Sequence, residues 1–144
     1  VSQKLASVAE GVGFKTTIID DREEFVNSER FPNSNLALIE TLENPLEKVK
    51  VTKESYVVIV TRGHLHDKTV LKETMKVSPY YIGMIGSKRK RDLIYKDLIE
   101  NEGISSQSLK TVHCPIGLEI LAETPEEIAI SIVAELIKAR AEHE

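Results

Sequence analysis

Nine consecutive residues in the second half of the chain, Gly83-Met84-Ile85-Gly86-Ser87-Lys88-Arg89-Lys90-Arg91, bring together two glycines, a serine and four cations. Ser87 is a good helix N-cap, so the four cations fall in the first turn of the helix that follows. The helix dipole disfavours positive charge there by roughly a few tenths of a kcal/mol per residue. A run that breaks a local rule in this way often marks a functional site. An anion at that helix start would be stabilised by free N–H groups, the dipole and the cations together. Lys88 and Arg91 are the expected contacts, Gly83, Gly86 and Ser87 shape the turn, and Arg89 or Lys90 faces solvent. The competing reading is a solvated basic face.

A second group, Thr61-Arg62-Gly63-His64-Leu65-His66-Asp67, has the means to hold a charged ligand. Arg62 can grip a phosphate or carboxylate bidentately, and Gly63 lets the backbone approach closely. His64, nearest the preceding strand, is the candidate functional histidine. Two histidines spaced by one residue can ligate a metal, but no cysteine or second nearby acid completes a standard site. Asp67 is expected to cap the next helix. Asp20 closes another strand, where an acid can bind a ribose hydroxyl; alternatively it and Asp21 are solvated turn residues. Cys114, in His113-Cys114-Pro115-Ile116-Gly117, is either a nucleophile or soft ligand, or a small buried hydrophobe.

The elements that must position these residues alternate between short β-branched runs and longer helical patterns, which is the signature of βαβ units. Strands are expected at Lys15–Ile19, Leu36–Ile39, Tyr56–Val60 and Tyr80–Ile82, with a last short one at Leu109–His113. Helices are expected at Val1–Gly11, Asp67–Val77 and Ser87–Glu102. The final helix opens on a capping box, Thr124-Pro125-Glu126-Glu127, and presents Ile128, Ile132, Val133, Leu136 and Ile137 on one face. The result is an α/β architecture: three layers, a Rossmann-like parallel sheet with helices on both faces. In such a sheet ligands sit beyond the carboxyl ends of the strands. Every chemical group named above directly follows an expected strand.

Composition narrows the function classes. The 144 residues carry 19 Lys plus Arg against 23 Asp plus Glu, a formal charge of −4, so a nucleic-acid partner is not expected. No apolar run approaches the roughly 18 residues that cross a bilayer, so no membrane association is expected. The lone cysteine forms no internal disulfide and fits a reducing, cytoplasmic setting. The chain opens with Val1 at the helix that a glycine loop would precede. The first strand and glycine loop are therefore expected upstream, and residues 1–144 as a single domain within a longer two-domain protein.

Taken in order, the strand-end motifs resemble one family. Asp20-Asp21-Arg22 with Glu29-Arg30-Phe31-Pro32, Thr61-Arg62-Gly63-His64 with Asp67, and Tyr81-Ile82-Gly83-Met84-Ile85-Gly86-Ser87-Lys88-Arg89-Lys90 look like the Rossmann domain of the xanthine dehydrogenase accessory factor family (XdhC/CoxI-like). Pro115-Ile116-Gly117-Leu118 and Thr124-Pro125-Glu126-Glu127-Ile128-Ala129 extend the resemblance to nearly the whole chain. The resemblance implies a maturation factor, a carrier rather than a catalyst. Such a factor binds the molybdenum cofactor, a pterin dithiolene (molybdopterin) with a terminal phosphate, and helps deliver it, sulfurated, to a molybdenum hydroxylase. The implied partners are an apo xanthine dehydrogenase-type hydroxylase and a cysteine desulfurase, and the implied assembly is a homodimer. On this reading Asp20, Arg62, Gly63, His64, Gly83, Gly86, Ser87, Lys88 and Arg91 contact the cofactor. The alternative from the residues alone is an NAD(P)-binding oxidoreductase or regulatory nucleotide-binding module, with Asp20 on the ribose. Against the oxidoreductase, no substrate domain follows the sheet and no Tyr-x-x-x-Lys relay is present.

Overall fold

The structure, a computed structural model, describes residues 1–143 and divides into two compact units: residues 1–49 with 117–143, and Lys50–Ile116. All four described strands pair in parallel, as the alternation of elements requires.

In the first unit, α1 (Ser2–Gly11) leads to β1 (Thr17–Asp20), a single 3-10 turn at Glu23–Phe25, and β2 (Asn35–Leu38). The last helix of the chain, Pro125–His143, completes the unit. β1 and β2 run parallel in the register Thr17↔Asn35 to Asp20↔Leu38. The buried stripe Leu5, Ala6 and Ala9 of α1 packs on the last helix, which buries Ala129, Ile132, Val133 and Leu136. Small residues on α1 let the two helix backbones approach, and the removed apolar area stabilises the pair at roughly 25 cal/mol per Å². The capping box forms as expected: Glu127 N–H donates to Thr124 Oγ1 at 3.1 Å, while Glu127 Oε1 accepts from Thr124 N–H at 3.0 Å. The apolar face is rotated from the expected one, because Ser131 is buried and Ile137 is 39% exposed. Ser131 faces inward to donate to the Leu118 carbonyl at 2.6 Å, so a polar group with a fixed partner takes an apolar position.

The second unit is a βαβ piece followed by two helices. β3 (Tyr56–Ile59), α2 (His64–Met75) and β4 (Tyr81–Met84) form the crossover, and α3 (Lys88–Glu102) and α4 (Ser106–Leu109) follow. β3 and β4 pair in parallel from Tyr56↔Tyr81 to Ile59↔Met84. All four residues of β4 are buried, the pattern of a strand covered on both faces. Leu71, Met84, Ile94, Leu98 and Leu109 are fully enclosed. Ion pairs Lys68–Asp97 at 2.7 Å and Lys72–Glu102 at 3.1 Å bridge α2 and α3. The Lys68 ammonium holds the Asp97 carboxyl below the usual carboxylate range. Gly103 ends α3 in the left-handed conformation, φ 68°, which lets Ile104 N–H donate to the Leu98 carbonyl at 3.2 Å.

Two expectations need correction. Leu109–His113 is not a strand: Ser105 caps the short helix α4, accepting from Ser108 N–H at 3.1 Å, and only His113 bridges to Gly83. The local Ser cap outcompetes β-propensity there. The second helix starts at His64 rather than Asp67, so Asp67 sits within its first turn and is not its N-cap.

Candidate functional site

Both loops singled out by sequence, Thr61–Gly63 and Ile85–Ser87, belong to the second unit and leave the carboxyl ends of β3 and β4. Adjacent parallel strands necessarily deliver their carboxyl ends to one edge. The ladder continues past β4, with Ile85 N–H donating to the Ile59 carbonyl at 3.1 Å, so the two loops start in register.

Between them lies a buried ion pair. Asp67, from the first turn of α2, has no solvent exposure. Its Oδ1 accepts from Thr61 N–H at 3.1 Å and from the Thr61 hydroxyl. Its Oδ2 accepts from the Lys90 ammonium, which also donates to the Ile85 carbonyl at 3.2 Å. The carboxylate is thus met by three donors, which is what makes a charge tolerable in such a place. Lys90 reaches Asp67 by crossing Gly86. A Cβ at Gly86 would lie 2.7 Å from Lys90 Cδ, and the Gly86 φ of 139° is one that favours glycine. Gly86 is therefore needed for the passage of a side chain. Gly83 has a packing reason of its own, since a Cβ there would lie 2.4 Å from Ile116 Cδ1.

The pair sorts the four cations of the α3 start. Lys90 turns inward to Asp67. Arg91 donates to the Cys114 carbonyl at 3.1 Å and to Asp92 at 3.0 Å. Lys88 and Arg89 are exposed, and among the described residues neither makes an ion pair. Ser87 caps the helix, its Oγ accepting from Lys90 N–H at 3.1 Å. The first-turn N–H groups of Lys88 and Arg89 have no intrahelical acceptor. Two exposed cations, two amides and a hydroxyl therefore share one helix end.

The remaining predicted residues are placed as follows. Arg62 and Gly63 are exposed on the β3–α2 loop, with Gly63 at the α2 N-cap, and His64 is exposed at the first position of α2. Asp20 belongs to the first unit, at the carboxyl end of β1. Its two carboxylate oxygens accept from Arg22 Nε at 3.0 Å and Nη2 at 2.9 Å, and the Arg22 guanidinium lies over the Phe25 ring at 4.0 Å. Arg30 also faces that ring, at 4.9 Å. Asp20 is thus already charge-paired within its own unit. Burial pushes the Cys114 thiol up from its ordinary value, which disfavours the thiolate that a nucleophile or metal ligand requires. Among the described residues no group of three or more His, Cys, Asp and Glu side chains is arranged to hold a metal.

Sequence reasoning misses the joint role of Thr61, Asp67 and Lys90. The available signal is Asp67 itself, an acid three residues into a helix and facing the core. It also misses Tyr95 on α3, whose hydroxyl is buried without a hydrogen-bond partner among the described residues and whose pKa burial pushes up to about 12.

The sequence matches the XdhC Rossmann domain over residues 1–136, and the chain belongs to that family. Among known proteins it is 31% identical over 136 residues to a probable xanthine dehydrogenase subunit of Bacillus subtilis (strain 168), covering 94% of this chain and 39% of the relative. It is 25% identical over 143 residues to the molybdenum cofactor insertion chaperone PaoD of Escherichia coli (strain K12), covering 99% of this chain and 38% of the relative. A crystal structure described as a xanthine dehydrogenase from Bacillus halodurans superposes with a TM-score of 0.81 at 29% identity, over 99% of this chain and 40% of that one. The chain spans between 26% and 39% of the length of the curated relatives it matches. The fold is accordingly Rossmann-like, and no described helix is long and apolar enough to cross a membrane.

Proposed function

We propose that this chain is the cofactor-handling Rossmann domain of an accessory factor for molybdenum hydroxylases. On this reading it carries molybdopterin by its terminal phosphate at the start of α3. The observation that carries the proposal is the division of the four cations. Lys90 and Arg91 are committed to the protein, whereas Lys88 and Arg89 are exposed, without an ion pair among the described residues, in the turn whose amides have no intrahelical acceptor. An anion there gains from the dipole, the amides and both cations.

The donor set fits the phosphate end of the group. Lys88 and Arg89 would neutralise it, Ser87 can donate its hydroxyl, and Arg62 on the β3–α2 loop and His64 at the start of α2 would meet the polar pterin edge. The cofactor supplies the molybdenum chemistry when bound. This chain's own residues orient it, and none of the described side chains forms a cluster suited to ligating its metal. Names among the relatives, a xanthine dehydrogenase subunit and a molybdenum cofactor insertion chaperone, support the same role. The further steps we propose are receipt of the sulfurated cofactor with a cysteine desulfurase and transfer to a xanthine dehydrogenase-type apo-enzyme, from a cytoplasmic homodimer.

Mass spectrometry of the protein purified from a molybdopterin-producing host tests the proposal. The expected ligand is a pterin monophosphate. Recovery of a nicotinamide dinucleotide instead would overturn it in favour of the NAD(P)-binding alternative.

A further inference from the structure

We infer that Asp67 and Lys90 are positioning residues that set the two ligand-presenting loops in one frame. This rests on the proposed cofactor site and deepens it. The pair touches both loop roots at once. Asp67 fixes Thr61 through both its N–H and its hydroxyl, at the root of the loop that carries Arg62 and Gly63 and leads into His64. Lys90 crosses Gly86 and fixes the Ile85 carbonyl, at the root of the loop that carries Ser87, Lys88 and Arg89. One ion pair thereby determines where the exposed donors of both loops stand.

Stability alone does not account for it. A buried ion pair returns little net stability, and apolar residues of similar volume often do as well or better. The pair also relieves charge crowding at the α3 start, since Asp67 neutralises one of the four cations from within. What remains outside is the Lys88 and Arg89 pair, held at a fixed spacing. Groups that bind ligands precisely need such support from fixed neighbours.

The test is the double variant D67N/K90M. The new asparagine still offers an oxygen to Thr61, and no charge is left unpaired, so the fold is retained while the tie between the loops is cut. Its melting temperature should fall by only roughly 3–8 °C, as for Asp67→Asn alone. Molybdopterin binding should weaken on the order of tenfold, as it does when hydrogen-bond partners of liganding groups are removed elsewhere. Amide exchange at Thr61 and at Ile85–Ser87 should quicken, whether or not cofactor is present. Should the double variant prove poorly folded, D67N alone cuts the ion pair and is read in the same two ways. Wild-type binding by the variant, or unchanged exchange at those amides, would overturn the inference. Failure of wild type itself to bind molybdopterin would refute the proposed function, and the exchange measurement would still decide this one.

Discussion

Lys90→Met should be among the most damaging single substitutions in the second unit, and far worse than Asp67→Asn. Removing the ammonium leaves the Asp67 carboxylate, wholly buried, with the Thr61 N–H and hydroxyl as its remaining donors among the described residues. Breaking a buried pair from one side typically costs about 3–5 kcal/mol. The two Thr61 donors place this case near the lower end. For a chain of this size each kcal/mol moves the melting temperature by about 3–4 °C, so the expected drop is about 10 °C. Asp67→Asn is milder for two reasons. Asparagine keeps an acceptor for Thr61, and the Lys90 side chain, 23% exposed, can turn to water while releasing the Ile85 carbonyl. Its cost should be about 1–2 kcal/mol. The double variant should resemble Asp67→Asn, because the uncompensated charge is gone. Differential scanning calorimetry of the four proteins at low and high salt measures the cycle, and salt should change it little. Equal losses for the two single variants, or a double variant as damaged as their sum, would refute a buried, charge-compensated pair.

Tyr95→Phe should be neutral or slightly stabilising at neutral pH, since it removes a buried hydroxyl that lacks a partner among the described residues. The fold favours the neutral phenol, whose pKa is pushed up to about 12, so wild type loses stability as pH rises through the range between the ordinary value of 10.0 and that limit. Unfolding at about pH 11 should therefore favour the Phe variant, and a wild-type advantage there would contradict the assignment. Glu127 is held below its ordinary value by the Thr124 and Glu123 N–H groups, so its contribution is present above pH 4.5 and lost as pH falls through the depressed value. The melting-temperature gap between wild type and Glu127→Gln should be open at neutral pH and close in acid; a gap independent of pH would show that charge plays no part in the cap. Phosphate or sulfate should raise the melting temperature more than chloride at equal ionic strength, and Lys88→Gln with Arg89→Gln should remove the difference. An equal response to all three salts would make the α3 start a solvated face.

Most of the scaffold is legible in the sequence because local rules agree with the global fold. The apolar β-branched run at Tyr56–Ile59, the Ser87 and Thr124 caps and the Gly103 stop lie within a residue or two of their expected places. Leu109–His113 is the clearest departure. Its β-propensity is overridden by the cap at Ser105, four residues upstream of Leu109, where Ser105 Oγ already satisfies Ser108 N–H. The site is legible as two loops but not as one assembly. Asp67 reads as a helix cap when only its neighbours are considered, and its partner Lys90 lies 23 residues away. The cations of the α3 start sort differently from their sequence reading, which makes Lys88 and Arg91 the ligand contacts: the fold ties Arg91 to the Cys114 carbonyl and Lys90 to Asp67, and exposes Lys88 and Arg89.

On the proposed function, the exposed cations of α3 hold the phosphate of molybdopterin. Equilibrium titration of purified molybdopterin into wild type and into the Lys88→Gln, Arg89→Gln variant, at matched ionic strength, tests it most directly. Saturable binding by wild type, weakened about tenfold or more in a variant that melts at the same temperature, is the predicted result. Equal affinity of the two proteins would contradict it.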